Sequence, residues 1–89
     1  MPFAWDENKR YLNLVRHRLD LVDAQDLFDG RPTIVIPSPR QGEIGFVAVG
    51  LIENKFHAVV WTHRGEVTRL ISFRRARDAE VRAYRARFG

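Results

Sequence analysis

The sequence contains no cysteine, a single methionine and no long apolar run. Without cysteine, a disulfide framework, a thiolate zinc site and a cysteine nucleophile are all excluded. The longest apolar stretch, residues 46–52, is interrupted by Gly50 and is far too short to span a bilayer. Asp6 and Glu7 fall where a secretory signal would need apolar residues. We therefore expect a soluble, cytoplasmic protein with no membrane partner.

Motifs for cofactors and metals are also missing from the sequence. It has no P-loop, no dinucleotide-binding fingerprint and no nucleophile elbow. The three histidines, His17, His57 and His63, have neither helical i, i+4 spacing nor carboxylates in a ligand pattern. We therefore predict no cofactor and no metal, so that any chemistry depends on the protein's own side chains.

The chain has 89 residues, 45% of them hydrophobic, which predicts one domain over residues 1–89 with a modest core. Charge is distributed unevenly along it. Residues 1–63 carry seven Lys/Arg against eight Asp/Glu, whereas residues 64–89 carry eight arginines against three acids. Arginine binds phosphate oxygens through two parallel hydrogen bonds. The basic end therefore favours RNA, DNA or an acidic protein as the partner, although a solvated basic helix remains an alternative.

Hydrophobic spacing predicts an α+β fold. Asp6 is placed to cap a helix that ends near His17, and a shorter helix is expected to end near Phe28. β-branched and aromatic runs predict strands at residues 33–36, 44–52, 56–62 and 67–73, and a basic helix starts near Ala76. Short turns between the strands make them consecutive and antiparallel. The expected architecture is thus a short extended start at residues 3–5, two N-terminal helices, an antiparallel sheet of about four strands and a C-terminal basic helix.

The same pattern predicts how these elements pack. An apolar stripe on the first helix is expected to face the core; it consists of Tyr11, Leu14, Val15 and Leu19. With the helices on one face of the sheet, the other face is expected to be open and concave. Side chains from neighbouring strands would converge on that open face.

A side-chain-only chemistry that fits a basic sheet is RNA cleavage. The reaction needs a base for the 2′-OH proton, cations for the charge of the phosphorane, and an acid for the leaving oxygen. Arg64, Arg69 and Arg74 supply the cations, and Glu43 is the best-placed carboxylate for the base. Alternatively, Arg74 forms a weak surface pair with an acid of the last helix, and Tyr84 belongs to the core. These residues alone do not distinguish a nuclease from a binding protein.

The order and spacing of several short blocks resemble the BrnT family of toxins. The first block holds Phe3, Trp5, Asp6, Lys9, Asn13 and His17. It is followed by Asp23, Ala24, Phe28 and Asp29, then by Gly42, Glu43 and Gly50. The last blocks are Val59-Val60-x-Thr62-x-Arg64 and residues 69–76, with Glu80 and Tyr84 after them.

This resemblance implies a RelE-like fold and a metal-independent endoribonuclease toxin of a type II toxin–antitoxin system. By the same resemblance, Glu43, Arg64 and Arg74 would be catalytic, and Lys9, Arg69 and Tyr84 would contact RNA. The implied partner is a BrnA-type antitoxin with a ribbon-helix-helix segment. Two toxins would pair with two antitoxins, and promoter DNA would be bound through the antitoxin alone.

The chain departs from the family pattern at three places. Arg18 stands where the family has glycine, an arginine usual after Gly-Glu is missing around Gly45, and Phe73 replaces a small residue beside Arg74. The missing arginine supports an alternative function. In that alternative, the chain is a catalytically inactive relative that binds an antitoxin or nucleic acid.

Overall fold

A computed structural model describes residues 2–39 and 44–89 of the chain. Its elements, in chain order, are β1 (Phe3–Ala4), α1 (Glu7–His17), a 3₁₀ helix (Leu21–Phe28), β2 (Thr33–Pro37), β3 (Gly45–Ile52), β4 (Lys55–Arg64), β5 (Val67–Arg75) and α2 (Asp78–Phe88). The α+β class is therefore confirmed. Among the described helices, none has the length and apolar character needed to cross a membrane.

The strands form one sheet in the order β1-β5-β4-β3-β2. Strands β2 to β5 are antiparallel neighbours, as expected. The sheet has five strands instead of about four and is not purely antiparallel, because the short extended start predicted at residues 3–5 joins it as β1, runs parallel to β5 and pairs Phe3 with Thr68. A strand of two residues is too short to show an alternating pattern, so the sequence did not indicate that this segment joins the sheet or in which direction it runs.

The 3₁₀ helix packs on what we call the first face of the sheet. It contributes Leu21, Ala24 and Leu27 to a core shared with five strand residues: Ala48, Val59, Trp61, Leu70 and Phe73. Close contact here depends on Gly50, since an added Cβ would lie 2.9 Å from the Leu27 side chain. Glycine therefore lets the 3₁₀ helix approach the sheet.

The opposite, second face is partly covered by α2. Tyr84 is buried there against strand residues that include Val47, Val49, Ala58 and Val60. The expectation that all helices lie on one face was therefore wrong. The reason is that Tyr84 and its neighbours give α2 an apolar side, which needs a sheet surface to cover it.

Helix α1 lies along the edge of β5 beyond the short β1. Asp6 caps it as predicted, accepting a hydrogen bond from the Asn8 backbone N–H at 2.7 Å. Leu19, the last residue of the predicted apolar stripe, packs against the first-face core, but Tyr11, Leu14 and Val15 are 65%, 52% and 61% exposed, contrary to expectation. Asn13 faces the protein instead and is only 4% exposed.

The reason is the unpaired backbone at the edge of β5. The Asn13 amide donates to the Phe73 carbonyl, and its Oδ1 accepts from the Phe73 N–H, both at 2.8 Å. Hydrogen-bonding groups at a buried sheet edge need partners, and an apolar side chain cannot supply them. The helix therefore turns its polar residue inward.

Candidate functional site

Sheet register determines which arginines share a surface. Arg74 pairs with Ala58 and Arg69 pairs with Thr62, while Arg64 lies two residues beyond Thr62 on β4. Directly paired residues and alternate residues of a strand point to the same face. Ala58 belongs to the second-face cluster, so Arg64, Arg69 and Arg74 all lie on the second face.

This common placement depends on an irregularity in β5. Arg69 and Arg74 are five residues apart, so in a regular strand they would point to opposite faces. The pairing shifts between Val60 and Trp61, whose partners are Ser72 and Leu70, leaving Ile71 as the extra residue. Such a bulge reverses the alternation beyond it. No feature of the sequence pattern indicated it.

The three arginines do not form one compact cluster. Arg64 and Arg69 lie toward the same end of the sheet. The partner of Arg74, Ala58, precedes Arg64 by six positions on β4, which corresponds to about 20 Å along the strand. Arg64 and Arg74 thus lie at opposite ends of the second face, and their direct cooperation at one phosphate stays a prediction.

A groove of about 630 Å³ opens on the second face around Arg74. Its floor includes Val47, Val60 and Ser72, and α1 contributes His17 to its rim. The rest of the rim comes from the end of β2 with the two residues after it, and from the N-cap and first turn of α2; these supply Pro37, Ser38, Pro39, Arg77, Ala79 and Glu80. We call this feature the groove.

Arg74 is held in the groove by Glu80. Its Nη1 and Nη2 donate to the two carboxylate oxygens at 2.7 and 2.9 Å. Both side chains are nearly buried, 11% and 12% exposed, so the weak surface pair allowed by the sequence is replaced by an enclosed one. The backbone N–H of Arg77 also donates to Glu80 at 2.8 Å. The guanidinium is thereby oriented before any substrate binds.

The Glu80 carboxyl is kept ionised by these contacts. The hydrogen bond from Arg74 is the main cause that lowers its pKa below the usual range, and the Arg77 N–H acts in the same direction. A carboxylate that accepts several hydrogen bonds in its charged form is a poor proton acceptor. Glu80 therefore positions Arg74 and is not suited to acid–base work. Sequence reasoning did not assign Glu80 this role.

A smaller cleft of about 280 Å³ lies between α1 and β5. Lys9 and Arg16 line it, together with Ile71. The cleft shares His17 and Ser72 with the groove, so the two features are continuous. Lys9, predicted to contact RNA, therefore lies beside the groove.

The predicted base, Glu43, lies outside the described residues. The next residue, Ile44, is 75% exposed, and its carbonyl accepts a hydrogen bond from the Thr62 hydroxyl at 2.7 Å. Thr62 is the partner of Arg69, so Ile44 belongs to the end of the sheet where Arg64 and Arg69 lie.

Tyr84, predicted to contact RNA, is buried in the core of the second face. Tyr84 is 6% exposed and packs edge-on against Phe56, with ring centroids 5.1 Å apart. This supports the core role that the sequence left open, and contact with RNA stays a prediction.

Phe73 is 2% exposed and belongs to the first-face core, so its bulk does not lie beside Arg74 in the groove, contrary to expectation.

A separate cavity of about 550 Å³ lies beyond the first-face core and is also lined by His17. It contains His57, whose Nδ1 lies 2.8 Å from the Lys55 carbonyl oxygen. Burial is the main cause that lowers the pKa of His57. Across residues 2–39 and 44–89, no group of three or more His, Asp or Glu side chains is arranged to hold a metal ion.

These features define a small α+β protein with a basic groove suited to a polyanion. A family model described as the ribonuclease toxin BrnT of type II toxin–antitoxin systems matches residues 5–80. The chain therefore belongs to the BrnT family of ribonuclease toxins. A comparison with curated protein sequences gives no match. Membership of a type II system implies that the toxin has a protein antitoxin as its partner.

Proposed function

We propose that this chain is a metal-independent endoribonuclease toxin with a RelE-like fold that inhibits growth by cleaving RNA. The 2′-OH of the substrate attacks the adjacent phosphorus, and the 5′-oxygen leaves. Such a transesterification needs oriented cations and proton transfer, but no metal. The cytoplasm, where RNA is available, is the proposed location.

The observation that carries this proposal is the orientation of Arg74 in the groove. Its pair with Glu80 occupies two of the five guanidinium N–H donors and holds the plane of the group. A preoriented cation stabilises charge that develops in the transition state without the cost of reorganisation. Arg77 lines the same groove. We therefore place the scissile phosphate beside Arg74.

The remaining predicted residues are assigned around that point. Glu43 is proposed as the base for the 2′-OH proton. Arg69 and Arg64 share the face with Arg74 but lie about 13 Å and about 20 Å further along the sheet, where they would hold other phosphates of the RNA. Lys9, in the cleft next to the groove, would hold the RNA on the other side.

The proposal is tested by incubating the purified protein with RNA in EDTA. We expect cleavage by the parent protein and a loss of about 10²-fold in Arg74→Ala, the size typical for removal of one oriented charge-stabilising donor. Arg64→Ala should raise the RNA concentration needed for half-maximal cleavage. Arg87→Ala is the matched control, because Arg87 lies at the far end of α2, where it stacks on Phe88. Cleavage that disappears with EDTA would contradict metal independence.

The second candidate is a catalytically inactive relative that binds an antitoxin or nucleic acid. It is favoured by the missing arginine around Gly45. It predicts binding to RNA without cleavage and no growth arrest on expression. The same cleavage assay, run beside a growth assay, separates the two functions.

We propose a BrnA-type ribbon-helix-helix protein as the antitoxin. The basic surface of the toxin would accept an acidic segment of that partner. The complex would contain two toxins and two antitoxins, and promoter DNA would be contacted by the antitoxin alone. Light scattering on the co-expressed pair measures the stoichiometry. A mass of one toxin with one antitoxin would contradict it.

A further inference from the structure

His17 has an unusual position at the end of α1. It is exposed, and it lines the groove beside Arg74, the cleft beside Lys9 and the cavity of the first face. Within the described lining of the groove, two side chains are of the types that serve enzymes as general acids or bases, Glu80 and His17. Glu80 is committed to Arg74 through both of its oxygens. That leaves the imidazole of His17 as the group suited to proton transfer.

The end of α1, which carries His17, is held against β5 through Asn13. Asn13 and His17 are four residues apart on α1, so they lie on the same side of the helix. The Asn13 side chain bonds both backbone groups of Phe73, the residue before Arg74. It also donates to the Leu19 carbonyl at 2.8 Å, two residues beyond His17. One buried amide thus ties the end of α1 to the part of β5 that carries Arg74.

We propose that His17 is the general acid of the reaction, protonating the 5′-oxygen as it leaves the phosphorus. This inference rests on the proposed function, since it names a residue for the same cleavage. As the base removes the 2′-OH proton, the 2′-oxygen forms a bond to phosphorus and the bond from phosphorus to the 5′-oxygen breaks. The His17 imidazolium gives its proton to that oxygen. The products are a 2′,3′-cyclic phosphate and a 5′-hydroxyl, with His17 left neutral.

Charged groups surround His17 from every element that shares a cavity with it. On the groove and cleft side they are Lys9, Arg16, Arg74, Arg77 and Glu80. On the first-face side they are Asp23, Asp26, Glu53, Lys55, His57 and Arg75. Cations predominate where the phosphate would bind, whereas carboxylates and basic groups are nearly balanced on the far side. A proton donor between them faces the developing negative charge of the leaving oxygen.

The first test compares His17→Gln with His63→Gln in RNA cleavage across pH. His63 is the matched control, because it is an exposed histidine whose ring packs on Trp61 on the first face, away from the groove. We expect His17→Gln to lose about 10²-fold or more in rate and to lose the decline of the rate at alkaline pH. His63→Gln should keep the parent rate and profile. Circular dichroism and thermal melting establish that both variants fold.

The second test uses an oligonucleotide in which sulfur replaces the 5′-oxygen at the mapped cleavage site. A thiolate leaves without protonation, so a variant that lacks only the general acid should cleave this substrate within about tenfold of the parent rate. An equal loss on both substrates, or no loss on ordinary RNA, would overturn the role of His17 while the parent's ribonuclease activity stands. A parent protein that cleaves neither substrate would overturn the proposed function, and the acid role with it.

Discussion

Asn13 pairs with Phe73 as a neighbouring strand would, with one hydrogen bond to its carbonyl and one from its N–H, both 2.8 Å long. The helix therefore continues the hydrogen bonding of the sheet where the parallel β1 ends, since the last β1 residue pairs with Arg69. This contact connects the stability of the fold to the geometry of the groove, because the next residue, Arg74, lines the groove.

Replacing Asn13 by alanine should destabilise the protein by about 2–4 kcal/mol in the free energy of unfolding. The substitution leaves two buried backbone groups without partners, and each such group costs about 1–3 kcal/mol. Urea denaturation measures the change. Asn8→Ala is the control, because Asn8 lies exposed on the same helix. Equal midpoints for the two variants would show that the Asn13 contacts contribute nothing.

Arg18→Gly should stabilise the protein by about 1 kcal/mol. Arg18 ends α1 with φ of 57°, in the left-handed region that costs a residue with a Cβ roughly 1–2 kcal/mol, offset in part by the flexibility of glycine in the unfolded chain. In the family pattern that the sequence resembles, glycine stands at this position, and glycine is the residue that adopts a positive φ most readily. Arg16→Gly, inside the helix, should instead destabilise by about 1 kcal/mol. A lower melting temperature for Arg18→Gly would contradict the argument.

Glu80 should make stability depend on acid pH. Hydrogen bonding from Arg74 lowers its pKa in the folded protein, so the folded state favours the carboxylate more than the unfolded state does. This contribution is complete above the unfolded pKa and is lost as pH falls through the lower folded pKa. Glu80→Gln should therefore cost about 2 kcal/mol at neutral pH and much less at pH 3.

The matched control for Glu80→Gln is Glu66→Gln, since Glu66 is an exposed carboxylate in the turn before β5. Urea midpoints for parent and both variants at pH 7 and pH 3 give the comparison. A penalty for Glu80→Gln that is the same at both pH values would show that the pair with Arg74 does not stabilise the fold through its charge.

The sequence predicts those parts of the fold that local patterns encode. β-branched residues 33–36 became β2, and the short turn residues after Ile52 and Arg64 set the pairing of β3, β4 and β5. Asp6 marked the start of α1 correctly. These elements depend on periodicity and capping, which operate within a few residues.

The parts that were missed depend on contacts distant in sequence. The burial of Asn13 requires the edge of β5, about sixty residues away, and the enclosure of Arg74 requires the start of α2. The bulge at Ile71 cannot be recognised from the alternation of apolar and polar residues in β5 alone, because it is defined by the pairing of β5 with β4. The candidate site combines these features. Its arginines were predictable as residue types, whereas their common face and their separation were not.

The exposed apolar residues of α1 test directly whether helical spacing or the observed packing determines which side chains stabilise the fold. If Leu14 and Val15 faced the core, as their spacing predicts, Leu14→Ser or Val15→Ser would cost several kcal/mol. Because both are more than half exposed, we expect each change to stay within about 0.5 kcal/mol. Leu21→Ala is the reference, since Leu21 is fully buried and its truncation should cost about 2–5 kcal/mol. Thermal melts of the three variants compare them directly. A large loss in Leu14→Ser would mean that this side of α1 is covered in the folded protein.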